Sequence, residues 1–211
     1  MRKNKGYIRK VRNAGTRQLN RVLLVSAEGV NKTEQNYFRH LGGGQLSVRF
    51  AGGNDTDPVR LAQHLREAFE EYNLTGNDLA VCFIDTDFNP KKNEQIRAAE
   101  KIVKQLGSNA RVVISCPCFE IWFICHFTYT TRHYSDNDAV INFLRKYIPE
   151  YTKAGLDFFD RLADKQATAV KNAKALEEHC HAQGHQPHTV DFHPSTEAYA
   201  VIEWISEQML P

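Results

Sequence analysis

Residues 79–87 read Leu-Ala-Val-Cys-Phe-Ile-Asp-Thr-Asp, an unbroken apolar run that ends in Asp-x-Asp. Residues 22–29 read Val-Leu-Leu-Val-Ser-Ala-Glu-Gly, which is also apolar until it ends in Glu-Gly. Continuous apolar runs of this kind are typical of strands buried on both faces of a parallel sheet. Ligands of open α/β sheets bind at the carboxyl ends of such strands. If the two strands are neighbours, Glu28, Asp85 and Asp87 converge at one edge of the sheet.

Three carboxylates at one place repel one another, and a divalent cation is the usual remedy. Carboxylate oxygens are hard ligands that favour Mg²⁺ or Mn²⁺. The sequence therefore predicts a metal site formed by Glu28, Asp85 and Asp87. The alternative for the Asp-x-Asp pair is a helix N-cap followed by a solvated turn residue. The presence of Glu28 favours the metal site over that alternative.

Predicted strands and helices alternate as far as residue 127, and the remainder is nearly all helical. Further strands are predicted at 46–51 and 110–115. Helices are predicted at 33–41, 93–106, 119–127, 139–147, 160–183 and 195–210, with another opened by Asp57 and Pro58. This alternation predicts an α/β fold with a doubly wound, mostly parallel sheet. The predicted organisation is a basic flexible arm (1–20), an α/β core (21–130) and a helical C-terminal extension packed on the core (131–211).

The charge is unevenly distributed along the chain. The net charge is +2, yet eight of the 27 Lys and Arg residues fall within residues 1–21, which contain no acidic residue. A basic arm on an acidic body is a common arrangement in nucleic-acid-binding proteins. Arg9, Lys10 and Arg12 are therefore candidate contacts to nucleic acid. A solubilising tail is the equal alternative.

The compartment can be predicted from hydropathy and from the cysteines. No apolar run approaches the roughly 18 residues that span a bilayer, and the N-terminus lacks the apolar stretch of a secretory signal. The five cysteines are an odd number and lie mostly within apolar runs, which favours a reducing cytoplasm. Cys116, Cys118 and Cys125 are interpreted as small buried side chains, because their spacing departs from that of zinc sites.

Three motifs together resemble the RloB-like proteins, which include one partner of the AbiL abortive-infection pair. Residues 28–38, Glu-Gly-Val-Asn-Lys-Thr-Glu-Gln-Asn-Tyr-Phe, are similar to the family pattern E-G-x-x-T-E-x-x-Y-F, and residues 85–87 supply an Asp-x-Asp. Residues 116–127, Cys-Pro-Cys-Phe-Glu-Ile-Trp-Phe-Ile-Cys-His-Phe, are close to N-P-x-F-E-x-W-L-L-L-H-F. The resemblance runs from about residue 20 to the C-terminus. The sequence departs from it at Cys116, where the family usually has Asn, and at Ala27, where Cys is common.

The resemblance implies a TOPRIM-like fold, in which a Glu after the first strand and an Asp-x-Asp after a later strand bind Mg²⁺. Glu28, Asp85 and Asp87 match these positions. It also implies a metal-dependent nuclease of DNA or RNA that is the effector of an anti-phage abortive-infection system, with an ABC/SMC-like ATPase as partner. The chain has no G-x-x-x-x-G-K-[ST] loop, so any ATP use would come from that partner. The alternative function is a non-catalytic adaptor that binds nucleic acid or the ATPase and keeps the acidic pocket for structural Mg²⁺. A homo-oligomer is left open.

Other residues are candidates for the same site. Glu120 lies between apolar residues, where an unpaired charge is costly. It either faces the metal site as a catalytic group or ligand, or it pairs with a buried Lys or Arg. Lys32 and Lys153 are candidate phosphate contacts, with solvated surface positions as the alternative. His126 is interpreted as a core histidine. Glu28 is open between metal ligand and general base.

Overall fold

A five-stranded sheet with the strand order β2-β1-β3-β4-β5 forms the framework of this computed structural model, which describes residues 20–29, 33–153 and 159–208. The strands are β1 (Arg21–Ser26), β2 (Leu46–Phe50), β3 (Leu79–Asp85), β4 (Ala110–Cys116) and β5 (Ser195–Thr196). Strands β1 to β4 run parallel, and β5 pairs with β4 in the antiparallel direction. The sheet confirms the predicted α/β fold with mostly parallel strands.

Helices cover both faces of the sheet. They are α1 (Thr33–Arg39), α2 (Pro58–Glu71), α3 (Lys92–Lys104), α4 (Glu120–Cys125), α5 (Asn137–Leu144), α6 (Phe159–Leu162), α7 (Gln166–Ala182) and α8 (Ala198–Gln208), with a 3₁₀ turn at Ala163–Lys165. Helices α2 and α3 contribute to one apolar core, and α1, α4, α5, α7 and α8 contribute to the other. Strand β3 supplies both cores, with Val81 and Phe83 in one and Cys82 and Ile84 in the other. Two buried faces explain why this strand is an unbroken apolar run.

The C-terminal segment returns to the sheet, whereas the sequence predicted a single helix over 195–210. Ser195 and Thr196 instead form β5, opposite Cys116 and Ser115 of β4. Glu197 extends this contact, because its backbone N–H donates to the Ile114 carbonyl at 3.0 Å and its carboxylate accepts from the Ile114 N–H at 2.9 Å. The carboxyl end of β4 is therefore covered by the last part of the described chain.

The cysteines and the helices agree with the expectations from hydropathy. All five cysteines are buried and form no disulfide. No helix within residues 20–29, 33–153 and 159–208 has both the length and the apolar composition needed to cross a bilayer. His126 is buried, and its Nδ1 lies 2.8 Å from the Trp122 carbonyl. Burial lowers the pKa of His126 to about 4, which suits a neutral core histidine.

A second histidine joins the C-terminal loop to α3 and to the start of α8. The ring of His188 lies between the carboxylates of Glu100 and Glu197, with 2.7 Å between its Nε2 and Glu197 Oε1. Burial acts to lower the pKa of His188, but the two carboxylates outweigh it and raise the pKa to about 9. His188 is therefore an imidazolium that bridges two acids near neutral pH.

We predict that this bridge makes the stability fall at alkaline pH. The pKa of His188 rises from 6.5 to about 9 on folding, so its stabilisation is complete below pH 6.5 and is lost as the pH rises through 9. His188→Asn removes this dependence, and Asn tolerates the φ of 60° at this position. Between pH near 6 and pH near 10, the wild type should lose about 2–3 kcal/mol more unfolding free energy in urea than the variant. Equal losses in the two proteins would contradict the prediction, since every other titrating group is shared.

Candidate functional site

The candidate site lies at the carboxyl ends of β1 and β3. These strands are parallel neighbours, with Ser26 opposite Cys82. Glu28 follows the end of β1, Asp85 is the last residue of β3, and Asp87 comes two positions later. The structure therefore brings together the three carboxylates that the sequence predicted as a group.

Gly29 determines the turn that follows Glu28. The backbone of Asn54 passes so close that a Cβ on residue 29 would lie 2.4 Å from the Asn54 Cα. Real Cβ atoms essentially never approach another atom so closely, so the close approach requires glycine. The Glu-Gly pair thus combines a candidate site residue with the one residue type that fits the turn beside it.

An ammonium group of the chain itself lies among these carboxylates. Lys92 Nζ is 3.0 Å from Glu28 Oε1 and 2.6 Å from Asp87 Oδ2, and it donates to the Asp85 backbone carbonyl at 2.7 Å. The Lys92 side chain is only 9% exposed. Burial acts to lower the pKa of Lys92, but Glu28 and Asp87 outweigh it and raise the pKa. The amine is therefore charged and offsets two of the carboxylates.

A small cavity of about 20 Å³ lies beside this ion pair, with room for about one water molecule or ion. It is lined by Glu28, Thr33, Glu34, Asp85, Phe119, Glu120 and Lys153. Asp87 is not part of the lining; its Oδ1 accepts a hydrogen bond from the Asn137 side-chain amide at 2.7 Å. The carboxylates therefore form two groups, one that lines the cavity and one that contacts Lys92, and Glu28 belongs to both.

Asp85 and Glu34 are the acids of the cavity whose pKa values burial and neighbouring carboxylates raise most clearly. They are 8% and 5% exposed, and both line the cavity. Burial, and then the carboxylates of Glu34 and Glu28, raise the pKa of Asp85 well above its ordinary range. Burial is also the main reason that the pKa of Glu34 rises to about 8. A cation in the cavity would favour the ionised forms of both groups, because it would offset the repulsion among these carboxylates.

The sequence left Glu120 open between a group that faces the candidate metal site and a partner of a Lys or Arg, and the structure shows features of both. It is the first residue of α4, is 1% exposed and lines the cavity. Its Oε1 accepts a hydrogen bond from the Tyr151 hydroxyl at 2.7 Å and lies 3.8 Å from Lys153 Nζ. The chain around Lys153 is joined to the start of α1, because the Thr33 hydroxyl donates a hydrogen bond to the Lys153 carbonyl at 3.0 Å. Lys153 is 31% exposed, so its ammonium lies between the cavity and solvent.

Comparison with known proteins identifies the family. The model of the RloB-like protein family matches residues 23–205. The chain belongs to the RloB-like family. The matched range contains Glu28, Asp85, Asp87, Glu120 and Lys153, that is, every predicted site residue that the structure describes. Comparison with curated proteins and with solved structures gives no match. The remaining predicted contacts of this RloB-like protein, Lys32 and residues Arg9, Lys10 and Arg12, lie outside the described residues.

The ligand atoms at the site of this RloB-like protein, though not their arrangement, are of the type that binds a divalent cation. In the part of the chain that the structure describes, no group of three or more His, Cys, Asp or Glu side chains is arranged to hold a metal ion. Lys92 lies between Glu28 and Asp87, while Asp85 lines the cavity beside this ion pair. The available ligands are nonetheless all hard carboxylate oxygens, the kind that Mg²⁺ and Mn²⁺ prefer.

Proposed function

We propose that this RloB-like protein is a metal-dependent nuclease that hydrolyses phosphodiester bonds of DNA or RNA at the carboxyl edge of its sheet. The Asp85 carboxylate carries this proposal, because its residue is only 8% exposed, it lines the cavity and other carboxylates surround it. A buried charge without a partner is strongly unfavourable. A cavity that gathers Asp85 with three further carboxyl groups is therefore suited to a bound cation, and oxygen ligands favour Mg²⁺ or Mn²⁺.

Each side chain has a role in this proposal. Glu28 and Asp85, which line the cavity together with Glu34, would hold the ion with Asp87, which Lys92 joins to Glu28 outside the cavity lining. When bound, Mg²⁺ or Mn²⁺ lowers the pKa of a water molecule and neutralises charge at the phosphate. Glu120, whose carboxylate is fixed by the Tyr151 hydroxyl, takes the proton of the attacking water. Lys153, at the mouth of the cavity, contacts a phosphate oxygen.

The biological setting that we propose follows from the family resemblance. The protein has a TOPRIM-like fold and is the effector of an anti-phage abortive-infection system, with an ABC/SMC-like ATPase as partner. The absence of a phosphate-binding G-x-x-x-x-G-K-[ST] sequence supports a separate ATPase. Five free cysteines support a reducing cytoplasm. The basic residues of the N-terminal arm, with Lys32, supply contacts to the nucleic-acid backbone.

A second candidate function is a non-catalytic adaptor, and the position of Lys92 favours it. Its ammonium already neutralises Glu28 and Asp87, so these two carboxylates are compensated without a metal. An acidic pocket of this kind could persist for stability in a protein that only binds nucleic acid or the ATPase.

A cleavage assay separates the two functions. The purified full-length chain is incubated with tRNA, single-stranded DNA and duplex DNA, each with Mn²⁺, with Mg²⁺ or with EDTA. We expect cleavage of at least one substrate with a divalent ion and none with EDTA. Electron paramagnetic resonance titration of free Mn²⁺ gives the ion affinity in the same buffer. Ion binding without cleavage, in the presence and absence of the partner ATPase, would favour the adaptor; failure to bind the ion would contradict the metal site itself.

A further inference from the structure

Lys92 lies where three oxygen atoms from the ends of two strands converge. The distances from its Nζ are 3.0 Å to Glu28 Oε1, 2.6 Å to Asp87 Oδ2 and 2.7 Å to the Asp85 carbonyl oxygen. A lysine ammonium has three N–H donors, so these three contacts satisfy all of them. The Lys92 ammonium is thus a cation of the chain itself whose three N–H groups all donate hydrogen bonds at the site.

An ion and this ammonium cannot share the space between Glu28 and Asp87. Mg²⁺ binds carboxylate oxygens at about 2.0–2.1 Å. An ion held by Glu28 Oε1 and Asp87 Oδ2 would therefore compete with the Lys92 ammonium, which contacts the same two atoms. Positive charges so close together also repel strongly in a partly buried site. Binding of the ion by both carboxylates requires the ammonium to leave.

We propose that Lys92 is the internal counter-cation of the ion-free site, and that a divalent ion displaces its ammonium from Glu28 and Asp87. This inference rests on the metal-dependent function proposed above. Lys92 is the first residue of α3 and has a long side chain, so its ammonium can turn away while the helix stays in place. The Asp87 carboxylate would keep its orientation during the displacement, because Asn137 donates a hydrogen bond to its Oδ1. The other oxygen, Oδ2, is the one that Lys92 contacts and would release to the ion.

The first test compares the Mn²⁺ affinities of Lys92→Met and Lys91→Met with that of the wild type. Lys91 is the matched control, since it is the exposed neighbour and its substitution removes the same formal charge. Lys92→Met should bind Mn²⁺ about tenfold more tightly or better, because the ion no longer has to break charge-assisted hydrogen bonds. Lys91→Met should bind like the wild type. An unchanged or weaker affinity in Lys92→Met would overturn the inference.

The second test uses the wild-type protein and does not depend on whether a variant folds. Reductive methylation with formaldehyde and a borane is followed by mass spectrometry of the peptides that contain Lys91 and Lys92. Lys92 should react slowly in EDTA and much faster at saturating Mn²⁺, whereas Lys91 should react alike in both. If Lys92 were still protected from methylation at saturating Mn²⁺, the displacement of Lys92 would be overturned, and the proposed function would stand. Failure of both the wild type and Lys92→Met to bind Mn²⁺ would overturn the proposed function together with it.

Discussion

Asp85→Asn is expected to abolish Mn²⁺ binding and to reduce nucleic-acid cleavage by about a thousandfold or more, since the chemistry of a metal-dependent nuclease depends on its ion. The fold should survive, because Asn has nearly the same volume as Asp. Removing an ionisable group from beside other buried carboxylates also relieves repulsion, so the melting temperature should hold or rise. Cleavage rate, Mn²⁺ titration and thermal unfolding on one preparation measure all three effects.

Asp160→Asn is the matched control for this variant, because Asp160 is exposed on the short helix α6. It should match the wild type in every measurement. Cleavage by Asp85→Asn at the wild-type rate would refute the assignment of Asp85 to the site. A melting temperature well below that of the wild type would instead assign Asp85 a structural role.

Glu120→Gln should reduce cleavage by about a hundredfold or more, the range associated with loss of a general base. The stability should change little, for two reasons. The amide keeps the volume of Glu and an oxygen that can accept the Tyr151 hydrogen bond. Breaking a fully buried ion pair costs about 3–5 kcal/mol, but the ammonium of Lys153 is partly exposed and can be solvated when Glu120 loses its charge.

Tyr151→Phe provides the comparison for Glu120→Gln, because it keeps the charge of Glu120 and removes only the donor that positions it. It should lower the cleavage rate less than Glu120→Gln does. A Glu120→Gln protein with full activity would show that the carboxylate is dispensable for the chemistry. A melting temperature many degrees lower would show that its ion pair with Lys153 is the main contribution.

The fold and the convergence of the acidic residues could be predicted from the sequence because both depend on long local patterns. The run from Leu79 to Ile84 is apolar throughout, as a strand between two cores must be. Once β1 and β3 are parallel neighbours, the polar residues that follow them meet at one edge. Glu28, Asp85 and Asp87 could therefore be placed together without knowledge of any side-chain conformation.

The remaining site residues depend on contacts that leave no local pattern. Lys92 follows another lysine at the start of an amphipathic helix, and only the geometry distinguishes the buried one from the exposed one. The one sequence feature that could have indicated Lys92 is its position in the first turn of the helix that follows the Asp-x-Asp strand. Glu34 looks like an ordinary acid in the first turn of α1. Tyr151 reaches Glu120 across 31 residues, and the two residues of β5 are too few to show a strand pattern.

The pairing of β5 with β4 means that the sheet is complete only after β5 has been synthesised. Ser115 and Thr196 are in contact although 81 residues separate them, so strands β1 to β4 emerge from the ribosome long before their last partner. Until then the carboxyl end of β4 is an unpaired strand edge, which is a template for association with other chains. Contacts this distant in sequence also form slowly. A chain that stops before Ser195 should therefore aggregate rather than yield a folded fragment, and the nascent chain should need protection by chaperones until β5 has been synthesised.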